Sequence, residues 1–268
     1  MLHILLGRAK SGRTGIMARS VGRDISNGRR AVFIVPDQET FITESRLLRE
    51  NGLNGLMGTE VLSFNRLCQR IIKWSGRTPG VRLDDTGRSM LLAGAVMECA
   101  GELTVFKSSA GQPGFIERFA RMLAVFKSCG LAPKDLRELS LKNSGLLKAK
   151  LADSAVIFEK YEELLTGRYA DNQDYFMLAC TLAGECGPLK ETNIYIDGFE
   201  AFTQRMLELI FCLCEAAPEV YISLPSAAGG QDGELYGLSE NALKRLTARA
   251  LNQGIKYEIK SAPAKKRK

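Results

Sequence analysis

The eight residues GRAKSGRT, Gly7 to Thr14, constrain the fold of this chain more than any other segment. They follow an apolar run, Leu2 to Leu6, that predicts a buried strand, and they precede a stretch that predicts a helix ending at Asn27-Gly28. In a strand followed by G-x-x-x-x-G-K-[ST] and a helix, backbone N–H groups and the helix N-terminus surround phosphate oxygens. The segment therefore predicts a nucleotide phosphate site formed by Gly7, Arg8, Ala9, Lys10, Ser11, Gly12, Arg13 and Thr14.

The loop departs from the pattern at Arg13, which stands where lysine is required. Lysine is a compact point charge, whereas arginine carries a bulkier planar head, and the two are not interchangeable at a tight anion site. We therefore expect Arg13 to keep the charge but to misplace it, and Lys10 to point to solvent. Thr14 keeps the hydroxyl that holds Mg²⁺ in such loops.

The segments after the loop predict strands and helices in alternation. AVFIVP, 31–36, is a β-branched and apolar run typical of a strand buried on both faces, and EVL, 60–62, predicts another. The helix pattern between them places Phe41, Ser45 and Leu48 on one side, and FNRLCQRIIKW predicts a further helix. Such alternation favours a parallel sheet with helices on its faces.

The pattern changes over 81–189, where only helical periodicity is visible. Phe115, Phe119 and Phe126 recur at helical spacing. A second series of this kind consists of Leu147, Leu151, Phe158, Tyr161 and Leu165. We therefore predict a large all-helical insertion into the sheet domain.

Strand signals resume after the insertion. NIYID, 193–197, and EVYISLP, 219–225, predict buried strands separated by a helix, and a final helix and the strand-like IKYEIK follow the loose loop SAAGGQDG. The predicted fold class is α/β, a phosphate-loop parallel sheet with a helical insertion. The predicted domains are a discontinuous sheet domain, 1–80 with 190–225; the insertion, 81–189; and a truncated continuation with a basic tail, 226–268.

The second half of a nucleotide site is an acidic residue at the end of a neighbouring strand, and Asp197 fits this role. Asp197 and Thr14 are the predicted Mg²⁺ ligands. Hydrolysing motors commonly place a glutamate after this aspartate to position the attacking water, but here the position is Gly198, and Glu200 lies two residues too far along. Nucleotide binding without hydrolysis is the prediction; as a lone feature, Asp197 before glycine is equally typical of a turn.

Charge and cysteine content exclude several classes of protein. The net charge of +7 is made of +6 in residues 1–75, −3 in 76–264 and +4 in the terminal KKRK, so the bulk of the chain is not basic. The seven cysteines show no C-x-x-C spacing, so we expect reduced core thiols and no metal or iron–sulfur site in this chain. No apolar run approaches a membrane span and no signal peptide opens the chain, so a cytoplasmic location is expected.

Seven segments, taken in order, resemble the N-terminal part of the AddB family. They are GRAKSGRT, VPDQETF, EVLSFNRL, PGF at 113–115, KLAD at 150–153, DGFEAFT at 197–203 and ELY at 234–236. AddB is one of the two proteins of a bacterial ATP-dependent helicase/nuclease that processes double-strand DNA ends for recombination. The resemblance covers nearly all of residues 1–260.

The resemblance implies a RecA-like domain of the superfamily 1 helicase type, an AddA-like helicase/nuclease partner, and a degenerate motor that serves recognition of single-stranded DNA. By position after the strands, it implies DNA contacts at Gln38, Thr40, Ser63 and Arg66, although helix capping and polar surface explain these residues equally well. Full-length members carry a second motor-like domain and a nuclease domain with a 4Fe-4S cluster, whose cysteine ligands nothing in this chain matches.

Three hypotheses follow. The leading one is a DNA-processing accessory domain that binds ATP and Mg²⁺ weakly or not at all and acts as a scaffold for the AddA-like subunit. The second is an independent phosphate-loop NTPase or kinase, for which Arg13→Lys should raise turnover. The third is a non-functional truncated remnant.

Overall fold

The computed structural model describes residues 1–77, 80–226 and 235–262, without the side chains of Pro113, Asn172 and Gln173. The SAAGGQDG loop beyond Ser226, Glu234 of the ELY segment and the terminal KKRK lie outside these ranges. The strands are β1 Leu2–Gly7, β2 Arg30–Ile34, β3 Thr59–Leu62, β4 Val81–Arg82, β5 Tyr169–Ala170, β6 Thr192–Ile196, β7 Val220–Pro225 and β8 Tyr257–Ser261.

The helices follow the predicted alternation in the first and last parts of the chain. They are α1 Arg13–Ser26, α2 Thr40–Asn51, α3 Phe64–Trp74, α4 Asp85–Cys99, α5 Pro113–Ser128, α6 Pro133–Leu141, α7 Gly145–Leu165, α8 Asn172–Ala183, α9 Gln204–Ala216 and α10 Gly237–Asn252. Two 3₁₀ turns, Asp37–Glu39 and Gly187–Glu191, precede α2 and β6.

The chain divides into two compact units. We call Met1–Arg77 with Phe176–Lys268 the sheet unit, and Thr78–Tyr175 the helical unit. The prediction that 81–189 is all-helical was wrong, because β4 and β5 form a two-stranded parallel pair inside the helical unit. Each of these strands is only two residues long, too short to show a period in the sequence.

The sheet unit is built on a six-stranded sheet in the order β3-β2-β6-β7-β1-β8. Every neighbouring pair is parallel, as predicted for alternating strands and helices. Because side chains alternate along a strand, Phe33 and Tyr195 face the layer formed by α1 and α2, and their neighbours Ile34 and Ile196 face the opposite layer. The sheet is therefore covered on both faces and its polar ends remain for function.

The apolar side predicted for α2 is not its buried face, whereas the face predicted for α7 was correct except at its first residue. Helix α2 buries Thr43 and Leu47, whereas Phe41 is exposed. Helix α7 packs through Leu151, Phe158, Tyr161 and Leu165, as predicted, but Leu147 is exposed near its first turn. Both exposed apolar residues lie close to a helix N-terminus, which the helix leaves outside the packed core, and periodicity alone cannot reveal this.

The KLAD and PGF segments have structural roles in the helical unit. Asp153 is buried and accepts hydrogen bonds from the backbone N–H groups of Thr104, Val105 and Phe106, at 2.8 to 3.1 Å, and from the Thr104 hydroxyl at 2.9 Å. Phe115 packs against Phe106 with ring centroids 5.3 Å apart. Together the two segments fix the turn at 104–106 onto α7 and α5.

A second buried polar cluster lies in the helical unit. The Nζ of Lys127 lies 2.6 Å from Asp171, 2.8 Å from Glu162 and 3.5 Å from Asp174. Burial lowers the pKa of Lys127, but the three carboxylates outweigh it and the pKa is raised. This lysine is therefore a charged cross-link between α5, α7 and the start of α8. None of the helices in the described ranges is long and apolar enough to cross a membrane.

Candidate nucleotide-binding site

The Gly7–Thr14 loop connects the end of β1 to the start of α1, and its two glycines are required for different reasons. A Cβ on Gly7 would lie 2.6 Å from the Oγ of Ser11 and 3.1 Å from the Cδ of Arg13. Gly12, the residue before α1, has a φ of 86°, in the left-handed region that favours glycine. Lys10 also has a positive φ, 61°. The loop is thus tightly folded back on the first turn of the helix.

The loop has the features that an anion requires. No side-chain hydroxyl or carboxylate caps the N–H groups in the first turn of α1. The Oγ of Ser11 is buried and, among the described residues, has no hydrogen-bond partner. A buried hydroxyl without a partner is costly unless a ligand satisfies it. The residues present therefore fit a phosphate group at this position.

The position of the Arg13 charge agrees with the expectation that arginine keeps the charge of the pattern but misplaces it. The Nη1 of half-buried Arg13 donates to the Oγ of Ser223 on β7 at 3.3 Å. Burial lowers the pKa of Arg13, and the negative charges of Asp197 and Glu200 oppose this shift. Arg13 thus points along the end of the sheet toward β7 and β6, while Lys10 is exposed, as predicted.

Asp197 follows β6, which is separated from β1 by β7 alone. Two strand spacings place these strands about 10 Å apart, a span that a nucleotide phosphate and its Mg²⁺ can bridge. Asp197 is 5% exposed, and its N–H donates to the Ile34 carbonyl at 3.0 Å. Its carboxylate makes no hydrogen bond or ion pair with any residue in the described ranges, although the charge of Arg13 acts on it. Thr14, the other predicted ligand, is half-buried in the first turn of α1.

Gly198 is required by its backbone conformation. Its φ is 83°, and a Cβ there would lie 2.9 Å from the Cδ of Pro36 and 2.9 Å from the Oε2 of Glu39. From the sequence, this position is interpreted as a lost glutamate. The structure adds that the strand end has a shape that a glutamate cannot adopt without strain.

The four residues predicted to contact DNA divide into two groups. Ser63 is 3% exposed and caps α3 by accepting from the N–H of Arg66 at 3.4 Å, and the Thr40 hydroxyl donates to the Asp37 carbonyl at 3.1 Å. Gln38 and the Arg66 side chain are exposed. The segments that carry them follow the neighbouring strands β2 and β3 at the carboxyl end of the sheet.

Two exposed apolar residues beside Gln38 and Thr40 were not predicted from the sequence. Phe41 is 76% exposed and Ile42 is 59% exposed, both in the first turn of α2. An exposed aromatic residue beside polar groups is a signal for binding, but the helical pattern assigned Phe41 to the core. The other motif aromatics are structural, since Phe64 packs against Phe199 and Phe202 with centroids 5.2 and 6.4 Å apart.

A six-stranded parallel sheet, a glycine-dependent loop after its first strand and an acidic residue two strands away define a protein compatible with a RecA-like fold. Residues 4–268 match the family described as ADDB, N-terminal, and the chain belongs to that family.

Curated relatives agree with this assignment. The AddB-family protein of Listeria welshimeri, named as the B subunit of an ATP-dependent helicase/deoxyribonuclease, is 32% identical over 224 residues, which cover 83% of this chain and 19% of the relative. Proteins of the same name from Desulforudis audaxviator and Bacillus velezensis are 31% and 29% identical and cover 96% and 95% of this chain. The chain spans about a fifth of the length of the relatives that it matches.

Proposed function

We propose that this chain is the N-terminal helicase-like domain of an AddB-type subunit, with a RecA-like phosphate loop that binds ATP with Mg²⁺ and hydrolyses it poorly. One observation carries the proposal: at the carboxyl end of the sheet, the Ser11 hydroxyl is buried without a hydrogen-bond partner among the described residues, and the carboxylate of Asp197, a residue that is 5% exposed, accepts no hydrogen bond from them. Phosphate oxygens satisfy the first and Mg²⁺ the second. Arg13, turned toward Ser223, accounts for poor hydrolysis because it supplies no lysine-like charge in the loop.

The proposed biological role is in double-strand break repair and recombination, in the cytoplasm. The relatives are named as a subunit of a helicase/deoxyribonuclease, which supports assembly with a second, AddA-like subunit. Here the domain acts as a scaffold and holds single-stranded DNA. Co-purification of the chain with an AddA-like subunit from the same organism tests the scaffold; two proteins that elute separately contradict it.

Nucleotide binding is tested by thermal unfolding with and without ATP and Mg²⁺. A ligand present at about 100 times its Kd stabilises the native state by about 2.7 kcal/mol, or roughly 5 to 10 °C for a chain of this size. Thr14→Val should reduce this shift, whereas Thr247→Val, at a half-buried threonine of α10 whose hydroxyl bonds its own helix, should not. If millimolar ATP with Mg²⁺ does not raise the unfolding temperature, the nucleotide-binding proposal is contradicted.

Measurement of phosphate release from ATP distinguishes the accessory domain from an independent NTPase or kinase and from a non-functional remnant. Binding without release supports the accessory role. Turnover that rises in Arg13→Lys favours an independent NTPase or kinase. A chain that fails to unfold cooperatively with or without ligand favours the remnant.

Single-stranded DNA binding is proposed for the surface formed by Gln38, Phe41 and Arg66. Phe41 offers a ring on which a base can stack, worth about 1 to 3 kcal/mol, and Arg66 offers a charge to a phosphate. Phe41→Ala should therefore weaken binding of a fluorescent oligonucleotide about tenfold, and Arg66→Ala should lower the salt dependence by about one phosphate contact. Met57→Ala and Arg118→Ala, at exposed residues elsewhere, are the matched controls; equal losses in the controls contradict this surface.

A further inference from the structure

We infer that Glu39 provides the second carboxylate of the nucleotide site, from the turn before α2, at the position that residue 198 cannot fill. This inference deepens the proposed function and rests on it. The role assigned to Glu39 is to position a water molecule of the Mg²⁺ bound with ATP, beside Asp197.

The geometry of two neighbouring strand ends carries the inference. Strands β2 and β6 pair with Ile34 opposite Ile196, so the residues that follow each strand emerge side by side. The 3₁₀ turn Asp37–Glu39 brings the Oε2 of Glu39 to 2.9 Å from the position of a Cβ on Gly198. A carboxylate from the turn before α2 thus occupies the space in which the side chain of residue 198 would begin.

The Glu39 carboxylate is available for a ligand. It is exposed and makes no hydrogen bond or ion pair with the residues that the structure describes. The side chain of Arg13 is directed to β7, where its Nη1 donates to the Oγ of Ser223 at 3.3 Å. A cation is therefore the natural partner of this end of the site.

A second observation shows that these acidic groups do not merely repel one another on a solvated surface. Asp197, the residue adjoining Gly198, is only 5% exposed, and its carboxylate has no hydrogen-bond partner in the described ranges. The charge of Arg13 acts on this carboxylate without a hydrogen bond, so its oxygens are available to coordinate a cation. Mg²⁺ keeps several waters and takes one or two carboxylates, which matches direct coordination by Asp197 and a water-mediated contact to Glu39.

The conformation of Gly198 explains why the carboxylate comes from Glu39. A glutamate at 198 would need a left-handed backbone and would collide with the ring of Pro36 as well as with Glu39. Glycine at 198 and glutamate at 39 are therefore complementary, since the first leaves the space that the second fills.

The experiment measures ATP affinity by calorimetry on the full chain, with Mg²⁺ and with EDTA in its place. Glu39→Gln should weaken affinity at least fivefold with Mg²⁺ and leave it unchanged in EDTA, because only the metal-bound nucleotide uses the carboxylate. Glu44→Gln, at an exposed glutamate of α2, is the matched control and should behave as the unaltered chain. The double variant Glu39→Gln with Gly198→Glu should fail to recover the lost affinity.

The outcomes separate the two proposals. If the unaltered chain binds no ATP with Mg²⁺, the proposed function falls and this inference falls with it. If the unaltered chain binds and Glu39→Gln keeps the same Mg²⁺ dependence as Glu44→Gln, the inference alone is overturned. Recovery of affinity by Gly198→Glu would also overturn it, since the space would then accept a side chain from 198.

Discussion

Two buried aspartates, one in each unit, have opposite environments. Asp153 in the helical unit is 2% exposed and accepts from three backbone N–H groups and one hydroxyl. Asp197 in the sheet unit is 5% exposed, but its carboxylate accepts no hydrogen bond from the described residues. Since burial of an ionised carboxylate requires compensation, the fold itself satisfies Asp153, whereas it leaves Asp197 without a hydrogen-bond donor among the described residues. Hydrogen bonding, more than burial, distinguishes the two aspartates.

The comparison predicts the largest loss of stability for Asp153→Ala. The change leaves three backbone N–H groups at 104–106 without their acceptor, so we expect the free energy of unfolding to fall by roughly 3 to 5 kcal/mol. Denaturation in urea, followed by circular dichroism, measures it. Asp135→Ala is the control, since Asp135 accepts a single N–H, that of Ala132 at 2.7 Å, and should cost about 1 kcal/mol. Similar losses in the two variants would contradict the structural role of Asp153.

The strand end at Gly198 gives the next largest effect. Gly198→Ala adds a Cβ 2.9 Å from Pro36 and Glu39 at a φ of 83°, so we expect a loss of roughly 2 to 3 kcal/mol. Gly12→Ala has a similar φ, 86°, but its Cβ would meet no atom within 4 Å, so only the backbone penalty of about 1 kcal/mol remains. The difference between the two variants, measured by thermal unfolding, isolates the contact with the Pro36–Glu39 turn. Equal losses of stability in the two variants would mean that the Pro36–Glu39 turn moves aside without cost.

The Lys127 cluster in the helical unit predicts that the free energy of unfolding depends on pH. Burial raises the pKa of Asp174 to about 6, with a further contribution from Asp171, and Lys127 opposes the rise. The folded state therefore binds this proton more tightly than the unfolded state, whose aspartate titrates near 3.8. Stability from this group is present below about pH 4 and is lost as the pH rises toward 6, by about 1 to 2 kcal/mol after solvent screening.

Asp174→Asn removes the titrating carboxyl and should flatten this part of the stability profile, measured by urea denaturation between pH 4 and pH 7. Asp85→Asn, at an exposed aspartate of the same unit, should leave the slope unchanged. If Asp174→Asn keeps the full slope of unfolding free energy against pH, that slope comes from another group of the Lys127 cluster.

Much of the sheet unit could be predicted from sequence because its signals are local. The run before Gly7, the β-branched residues of β2 and the apolar residues of β6 identify buried strands, and the alternation with helices gives a parallel sheet. The AddB family was also identified correctly from short segments in the right order. Assignment of the nucleotide loop and of the Mg²⁺ ligands stays a prediction.

The missed features depend on tertiary contacts or on backbone angles. Phe41 has the apolar character of a core residue, and only the fold shows that Thr43 and Leu47 are buried in its place. Glycine after Asp197 indicates a turn, but its φ of 83° and the approach of Glu39 involve a residue far earlier in the chain. No periodicity or motif links Glu39 to Gly198, because their proximity follows from the pairing of β2 with β6.

The smallest expected effect on stability, and the sharpest test of the comparison, is Asp197→Asn. Asparagine has nearly the same shape and removes a buried charge that no described residue compensates by a hydrogen bond, so the free energy of unfolding without ligand should change by less than about 1 kcal/mol or increase. The same variant should lose most of the thermal shift produced by ATP with Mg²⁺, because an amide oxygen is a poorer Mg²⁺ ligand than a carboxylate. Asp153→Asn should show the reverse, a clear loss of stability and no specific loss of the ligand shift. If Asp197→Asn instead destabilises the free chain as strongly as Asp153→Asn, Asp197 is part of the fold's own hydrogen-bond network and the contrast between the two aspartates fails.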